Sequence, residues 1–410
     1  MGRSSCPPRL DEDALNQLHW WLTLPPVNLI ARGDVIRFRH ALYLIVHQVT
    51  AVLFGLNGQP VRMTYPSTLS DGRSRLDALP IRPDQCGLRL EQMVTAGRME
   101  DAWAVAARLI GDVSALTIPH PLSLPRGERK GSSPWVTVSP LPAVGEGPGV
   151  RASLSPDKLV VLAQQAAQWY HRLPGLDGIA LTGSLARGYA DAMSDVDLSV
   201  YCRAIPAHDA RRAVAAGLPG VRGILIEHAC DTAWVEGTLV HVRYWQTYNV
   251  ERMVAAFPAP PSDAFLAEDL QVCVPLYDVS GRLQAWKARV QAFAPHLKAE
   301  LLAPTQRRRP AFARAWSAAL AAHDVLHLHC LANQAANDWL IALFAMNDRF
   351  LTTPRWCRDE MRRFAIIPAE SEARLLEVVE PITDWGEAGN RWRGLHQLWE
   401  EVTRACGTAQ

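Results

Sequence analysis

The 410-residue sequence has no excess of charge of either sign, since 42 lysines and arginines stand against 41 aspartates and glutamates for a net charge of +1. Proteins held on DNA or RNA mainly by bulk charge need a positive excess, so this class is excluded, although a local basic patch is not. The composition, 49% apolar and 20% charged, is that of a globular chain and excludes disordered, collagen-like and coiled-coil proteins.

The eight cysteines include no Cys-x-x-Cys pair, which argues against a zinc module and against a disulfide framework. No apolar run approaches 18 residues, and the first residues lead into a charged helix start instead of an apolar leader. We therefore expect a cytoplasmic protein with reduced thiols that neither is secreted nor contacts a membrane.

Proline and glycine are concentrated in one internal segment. Between Pro119 and Pro148, 7 of 30 residues are proline and 4 are glycine. Proline lacks a backbone donor and glycine loses much entropy on ordering, so neither supports a helix or a strand here. The composition predicts a linker over 119–152.

Two segments on either side of this linker resemble each other. Asp34 to Asn57 aligns without a gap on Asp324 to Asn347, with five identities in 24 positions, and a Leu-Phe-x-x-Asn run is shared. In each copy a pair of prolines 14 residues apart follows, Pro66 and Pro80 in the first and Pro354 and Pro368 in the second. Apolar residues at helical spacing predict a small helical bundle in each copy, over 1–118 and 301–410. Chance similarity between two amphipathic helices is the alternative.

Between the linker and the second copy, short apolar runs alternate with helical patterns. Helices are predicted over Lys158–Tyr170 and His208–Ala216, and strands over 178–182, 196–201, 223–229 and 238–245. We expect a small mixed sheet with helices packed against it over 153–300. The predicted fold class is α/β (α+β), with this domain flanked by two all-α helical bundles.

Asp195 and Asp197 stand two residues apart at the start of a predicted strand, so their side chains should project from one face. Two carboxylates that share a small volume repel each other unless a cation lies between them. Carboxylate oxygens are also the ligands that Mg²⁺ prefers where it holds phosphates. The pair predicts a site for Mg²⁺ or Mn²⁺ together with a phosphate compound.

The preceding strand ends at Gly183 and Ser184. Gly183 has no side chain to keep a phosphate from the backbone, and Ser184 begins a predicted helical turn whose N–H groups can receive phosphate oxygens. Arg187 lies one turn further on, where it suits a phosphate or pairs with Asp191. The chemistry implied is in-line attack of an acceptor oxygen on a nucleotide phosphorus.

Residues 181–198, LTGSLARGYADAMSDVDL, closely resemble the signature of the DNA polymerase β-like nucleotidyltransferase superfamily. They look most like the small bacterial nucleotidyltransferases, which include aminoglycoside-modifying enzymes. Residues 273–282 resemble the strand and turn that precede the helical domain of these enzymes, and 343–347 resemble that domain itself. The resemblance spans roughly 155–380 and reaches back to 30–97 through the repeat.

This resemblance implies transfer of a nucleoside monophosphate, with AMP from ATP as the first choice, to a hydroxyl on a small molecule or a protein. Asp195 and Asp197 would hold the metal. The nucleotide would be bound by Gly183, Ser184, Arg187 and Ser194.

The sequence departs from the family at the third carboxylate, which acts there as a metal ligand or as the base for the acceptor hydroxyl. The matching position holds His241, and an imidazole can act as a base near neutral pH but suits Mg²⁺ poorly. Three interpretations stay open. His241 is the base, Glu227 or Glu236 supplies the carboxylate, or the site binds nucleotide without efficient transfer. The last would make the chain a nucleotide-binding scaffold or an antitoxin-like partner protein.

Two weaker patterns favour structural explanations. His323 and His327 share a helical face, which is metal-ligand spacing, but no acidic partner is evident, and core or solvated histidines are favoured. The run Arg307-Arg308-Arg309 could contact RNA, and a solvated turn between domains is favoured instead.

Overall fold

The computed structural model describes residues 12–23, 26–59, 72–117, 154–227, 229–257, 259, 261, 263–351, 354 and 356–408. The predicted linker over 119–152 and the first proline of the repeat, Pro66, lie outside these residues. The chain divides into two compact units. Unit 1 comprises 1–129, 303–343 and 353–410, and unit 2 comprises 130–302 and 344–352. The division into four domains, with two separate bundles, stays a prediction.

The described elements follow one another along the chain in three groups. The first six helices are α1 (Glu12–Thr23), α2 (Val27–Ala31), α3 (Val35–Leu56), α4 (Gly72–Asp77), α5 (Cys86–Thr95) and α6 (Met99–Thr117). The sheet region contains α7 (Pro156–Tyr170), β1 (Leu176–Leu181), α8 (Gly183–Arg187), β2 (Val196–Cys202), α9 (His208–Ala216), β3 (Val221–Ile226), β4 (Cys230–Val235), β5 (Thr238–Gln246), α10 (Thr247–Ala256), α11 (Ala264–Val272), β6 (Val274–Tyr277) and α12 (Arg282–Gln291). The last helices are α13 (Pro295–Ala321), α14 (Val325–Met346), α15 (Cys357–Met361), α16 (Ser371–Val379) and α17 (Trp385–Thr408).

The two copies of the repeat share local structure beyond their identical residues. Helices α3 and α14 both have 22 residues. Asp34 caps α3 by accepting a hydrogen bond from the backbone N–H of Arg37 at 3.2 Å, and Asp324 accepts one from His327 at 2.9 Å. An aspartate at this position satisfies a backbone donor that the first helical turn leaves free. The two helices thus begin with the same cap and have the same length, and the duplication of the bundle stays a prediction.

The helices that follow begin in the same way in both copies. Gln85 precedes α5 with φ of 52°, and Glu370 precedes α16 with φ of 54°. The left-handed conformation is uncommon for residues other than glycine. Gln85 follows Pro80 by five residues and Glu370 follows Pro368 by two, so the positions match only in preceding a helix, and the extension of the repeat to the second prolines stays a prediction.

Helix α3 is the central core helix of unit 1. Its apolar side chains belong to one hydrophobic cluster with residues of α1, α5 and α6, and Leu326 and Cys330 of α14 belong to the same cluster. The Tyr43 hydroxyl donates a hydrogen bond to Gln334 Oε1 at 2.7 Å. The two copies therefore share a hydrophobic core. By length and composition α3 could also cross a membrane, but 78% of its apolar window is buried inside the protein.

Unit 2 is built on a mixed six-stranded sheet in the order β3-β4-β5-β2-β1-β6. Strands β2 and β5 are parallel, and the other neighbours are antiparallel. Helices α7 and α9 cover one face, and α10, α11 and α12 cover part of the other. The mixed sheet predicted from the sequence is present. Strand β6 lies within residues 273–282, where the resemblance implies a strand and a turn, and β4 is the strand that was not predicted.

A buried polar group lies on the α9 face of the sheet. Arg211 forms an ion pair with Asp231 at 2.9 Å, and neither side chain is exposed to solvent. The Tyr244 hydroxyl donates to the second carboxylate oxygen at 2.6 Å. A buried charge needs such partners because desolvation is costly. Arg211, Asp231 and Tyr244 together connect α9 to β4 and β5 on this face of the sheet.

Candidate functional site

The two aspartates lie at the start of β2 on one face of the sheet. Asp195 directly precedes the strand and Asp197 is its second residue, and both are half-buried. The alternating neighbours Val196 and Leu198 are fully buried in the core on the α7 and α9 side. Since side chains alternate between the faces of a strand, both carboxylates project from the face opposite this core.

Gly183 forms a tight corner against Asp197. The backbone N–H of Thr182 donates to the carbonyl of Asp197 at 2.9 Å, which joins the end of β1 to β2. Gly183 follows with φ of 67°, and a Cβ atom there would lie 2.0 Å from Asp197 Oδ2. Only glycine fits this conformation and this contact. The next residue, Ser184, is 7% exposed, and its hydroxyl makes no hydrogen bond within the described part of the chain.

Two other residues predicted to bind nucleotide are engaged within the protein. Arg187 forms an ion pair with Glu268 of α11 at 2.8 Å, and both side chains are buried. The hydroxyl of Ser194 donates to Asp191 Oδ1 and accepts from the Asp191 backbone N–H, both at 2.9 Å, which closes the turn before Asp195. The part of Arg187 and Ser194 in nucleotide binding stays a prediction.

His241 lies directly beside Asp197. In the parallel pairing of β2 with β5, these two residues are register partners, so their side chains leave the same face. On the other side, His241 Nδ1 is 3.1 Å from the hydroxyl of Thr232 on β4. This contact orients the ring, and the tautomer of the imidazole decides which of the two groups donates the hydrogen bond.

The two glutamates considered as substitutes for a third carboxylate have other contacts. The Glu227 carboxylate accepts a hydrogen bond from Cys230 Sγ at 3.0 Å. Glu236 lies in the turn before β5 with φ of 51°, and its side chain packs against Gly220. The register therefore favours His241 over either glutamate as the third polar group beside Asp197.

Helix α11 contributes polar groups that the sequence patterns did not reveal. Asp269 Oδ2 lies 3.5 Å from the hydroxyl of Ser199, which is the next residue after Asp197 on the same face of β2. Glu268 reaches α8 through Arg187. The α11 sequence carries no motif, and only its packing across the sheet brings these carboxylates to the site.

The donor set suits a divalent cation that is held jointly with a substrate. Within the described residues, no group of three or more histidine, cysteine, aspartate or glutamate side chains could hold a metal ion. Mg²⁺ is commonly bound through one or two carboxylates, with water and substrate phosphates as its other ligands. Asp195 and Asp197 are two carboxylates with the chemistry for this mode of binding, and a metal held there with a nucleotide stays a prediction.

Comparisons with known proteins add little to this geometry. No family model matches the chain. No curated protein matches it either. Among solved structures, a nucleotidyltransferase-like protein from Exiguobacterium sibiricum 255-15 matches with 12% identity, over 60% of this chain and 77% of that one, at a TM-score of 0.30. A similarity this low carries no conclusion about fold or function.

Proposed function

We propose that the face of the sheet around Asp195 and Asp197 is the active site of a metal-dependent nucleotidyltransferase. It would move a nucleoside monophosphate, AMP from ATP as the first choice, to a hydroxyl on a small molecule or a protein. The observation that carries the proposal is the contact of Gly183 with Asp197. Gly183, which follows β1 and has no side chain, lies against the carboxylate of Asp197, and Asp195 projects from the same face of the sheet.

The triphosphate would lie at the corner of Gly183 and Ser184. Here the Ser184 hydroxyl, which has no hydrogen-bond partner within the described residues, would donate to a phosphate oxygen. Asp195 and Asp197 would hold a divalent cation. When bound, this cation would neutralise part of the negative charge of the phosphates.

In the reaction, the acceptor hydroxyl oxygen attacks the α-phosphorus and a new P–O bond forms. The bond from this phosphorus to the bridging oxygen breaks, and pyrophosphate leaves with the electron pair. His241 Nε2 would take the hydroxyl proton. The tautomer that donates Nδ1–H to Thr232 Oγ1 places the lone pair on Nε2, as a general base requires.

Label transfer tests this function. The full chain is incubated with each NTP labelled at the α-phosphate, with Mg²⁺ or Mn²⁺, and with panels of hydroxyl acceptors and proteins. Asp197→Asn should lower transfer about 100-fold or more, because the transition state loses a metal ligand. Asp209→Asn, which changes an exposed carboxylate in the first turn of α9, should leave transfer unchanged. No transfer with any nucleotide, metal or acceptor would contradict the proposal.

A second candidate function is nucleotide binding without transfer, and the imidazole of His241 beside Asp197 favours it. Calorimetry with ATP and Mn²⁺ distinguishes the two functions. Binding without turnover, together with the absence of transfer in His241→Asp, would establish a binding module. Appearance of transfer in His241→Asp would instead identify a weakened enzyme.

A further inference from the structure

A positively charged side chain lies next to His241 on the same face of β5. Arg243 follows His241 by two residues, and its register partner on β2 is Ser199, two residues after Asp197. Same-face neighbours along a strand are about 7 Å apart. The side chain of Arg243 therefore leaves the sheet beside His241, on the face of the proposed site.

The guanidinium of Arg243 packs against two aromatic rings. Its central carbon lies 4.1 Å from the ring centroid of Phe265 on α11 and 5.9 Å from that of Trp245 on β5. Within the described residues no carboxylate oxygen lies within 4.0 Å of it, whereas the buried Arg187 and Arg211 each pair with a carboxylate. A guanidinium stacked on rings keeps its in-plane N–H donors for another partner.

Two carboxylates face the same part of the sheet. Asp269 lies beside Ser199, and Glu227 accepts a hydrogen bond from Cys230, the register partner of Arg243 on β4. They lower the local positive potential, but neither forms an ion pair with Arg243. The bidentate donor set of Arg243 stays available to an oxyanion.

The order of the strands assigns Arg243 to the acceptor and not to the triphosphate. The corner at Gly183 follows β1, and Arg243 lies on β5, with β2 and its aspartates between these two strands. A triphosphate at Gly183 would occupy the β1 side of Asp197. The β5 side, where His241 would receive the proton, is left for the acceptor.

We propose that Arg243 binds an oxyanion carried by the acceptor, so that the acceptor is a hydroxyl compound with a phosphate or carboxylate group. This proposal rests on the proposed function, because it assigns the acceptor class of the same site. A polycationic acceptor such as an aminoglycoside would place like charges together next to the reacting hydroxyl, at a cost in affinity.

Chemical modification tests the subsite without any need for transfer. Phenylglyoxal modifies accessible, unpaired guanidinium groups, and mass spectrometry of the digested chain measures the reaction at each arginine. Glucose 6-phosphate or glucuronate, at ten times its Kd, should slow the reaction at Arg243 about tenfold, whereas glucose should not. Arg222, an exposed arginine on β3, is the internal control and should show no protection.

The two anions distinguish a phosphate subsite from a carboxylate subsite. Lack of reaction at Arg243, or equal rates with and without both anions, would overturn the proposal.

Transfer assays then test the acceptor class. Arg243→Gln should lower kcat/KM for an acidic acceptor about 10- to 100-fold, which corresponds to loss of a hydrogen bond to a charged group, and should spare the matching neutral acceptor. Arg222→Gln should change neither. Preference of the unmodified chain for an aminoglycoside over every acidic acceptor would overturn the acceptor assignment. If no acceptor is labelled, the proposed nucleotidyl transfer fails, and the modification experiment still decides whether Arg243 binds an oxyanion.

Discussion

A methyl group on Gly183 would lie 2.0 Å from Oδ2 of Asp197, closer than any side-chain carbon can approach that oxygen. The same residue has φ of 67°, which L-residues with a side chain rarely adopt. Two separate constraints thus require glycine at this position. The carboxylate of Asp197 can occupy its position only because residue 183 has no side chain.

Gly183→Ala should therefore abolish detectable label transfer and destabilise the protein. The left-handed backbone alone costs about 1–2 kcal/mol for alanine, and the contact with Asp197 adds to that cost. Gly188→Ala is the matched control, since Gly188 has φ of 73° at the other end of α8 and a Cβ atom added there would have nothing within 4 Å. Urea unfolding of both variants separates backbone strain from the clash. Equal losses of stability and transfer in the two variants would contradict a special role for the Gly183 contact.

Thr232→Val should lower kcat about tenfold and leave the KM for the nucleotide nearly unchanged, because it removes the hydroxyl that orients His241. Steady-state kinetics with the labelled nucleotide measure both constants. Thr238→Val, at an equally buried threonine at the start of β5, controls for the change in packing. A change confined to the KM would argue against His241 as the base.

The stability of unit 1 should fall as the pH drops below about 6.5. Burial lowers the pKa of His40 and of His47 to about 4, and that of His329 to about 3, and Arg39 adds to the last shift. These folded-state values lie below the unfolded value of about 6.5, so the unfolded chain binds more protons. The stabilisation is complete above pH 6.5 and is lost as the pH falls toward the folded values. Each histidine contributes a slope of about 1.4 kcal/mol per pH unit.

Urea unfolding between pH 7.5 and 5.5 measures this slope. His329→Asn should make the curve shallower by one histidine's contribution, whatever its effect on stability at pH 7.5. His396→Asn, at an exposed histidine of α17, should leave the slope as it is. Parallel curves for His329→Asn and the unchanged chain would rule out buried histidines as the cause.

The caps of the repeat should contribute similar free energies. Asp34→Ala and Asp324→Ala should each lower the free energy of unfolding by about 1 kcal/mol, because each leaves a backbone N–H of the first helical turn without its acceptor. Thermal unfolding compares them with Asp84→Ala, an exposed loop residue, which should have no measurable effect. A negligible effect at one of the two caps would mean that the copies no longer depend on the same local interaction.

The alternation of side chains along a strand places Asp195 and Asp197 on one face. This alternation depends only on neighbouring residues, so it can be predicted from the sequence. Strand β4 was missed for a physical reason. Its polar residue Asp231 points into the core, where Arg211 and Tyr244 satisfy its carboxylate, so the expected alternation of apolar and polar residues is lost. A buried ion pair is a tertiary compensation, and no local pattern reports it.

Long-range packing also explains what else the sequence could not provide. The repeat was visible as a pattern, but nothing in it indicated that Leu326 and Cys330 complete the core around α3. The stacking of Arg243 on Phe265 likewise depends on where α11 crosses the sheet. Composition and spacing identify the residues, and only the tertiary structure shows which of them meet.

The shared core has a consequence for biosynthesis. The ribosome completes the residues that surround α3 long before it adds Leu326, roughly 200 residues later, which takes about 10–40 s at 5–20 residues per second. Throughout that interval the nascent N-terminal helices lack the apolar partners from α14. During this time the apolar side chains that will contact α14 stay exposed to water. Chaperones bind exposed apolar segments, so we expect them to bind the chain at this stage of synthesis.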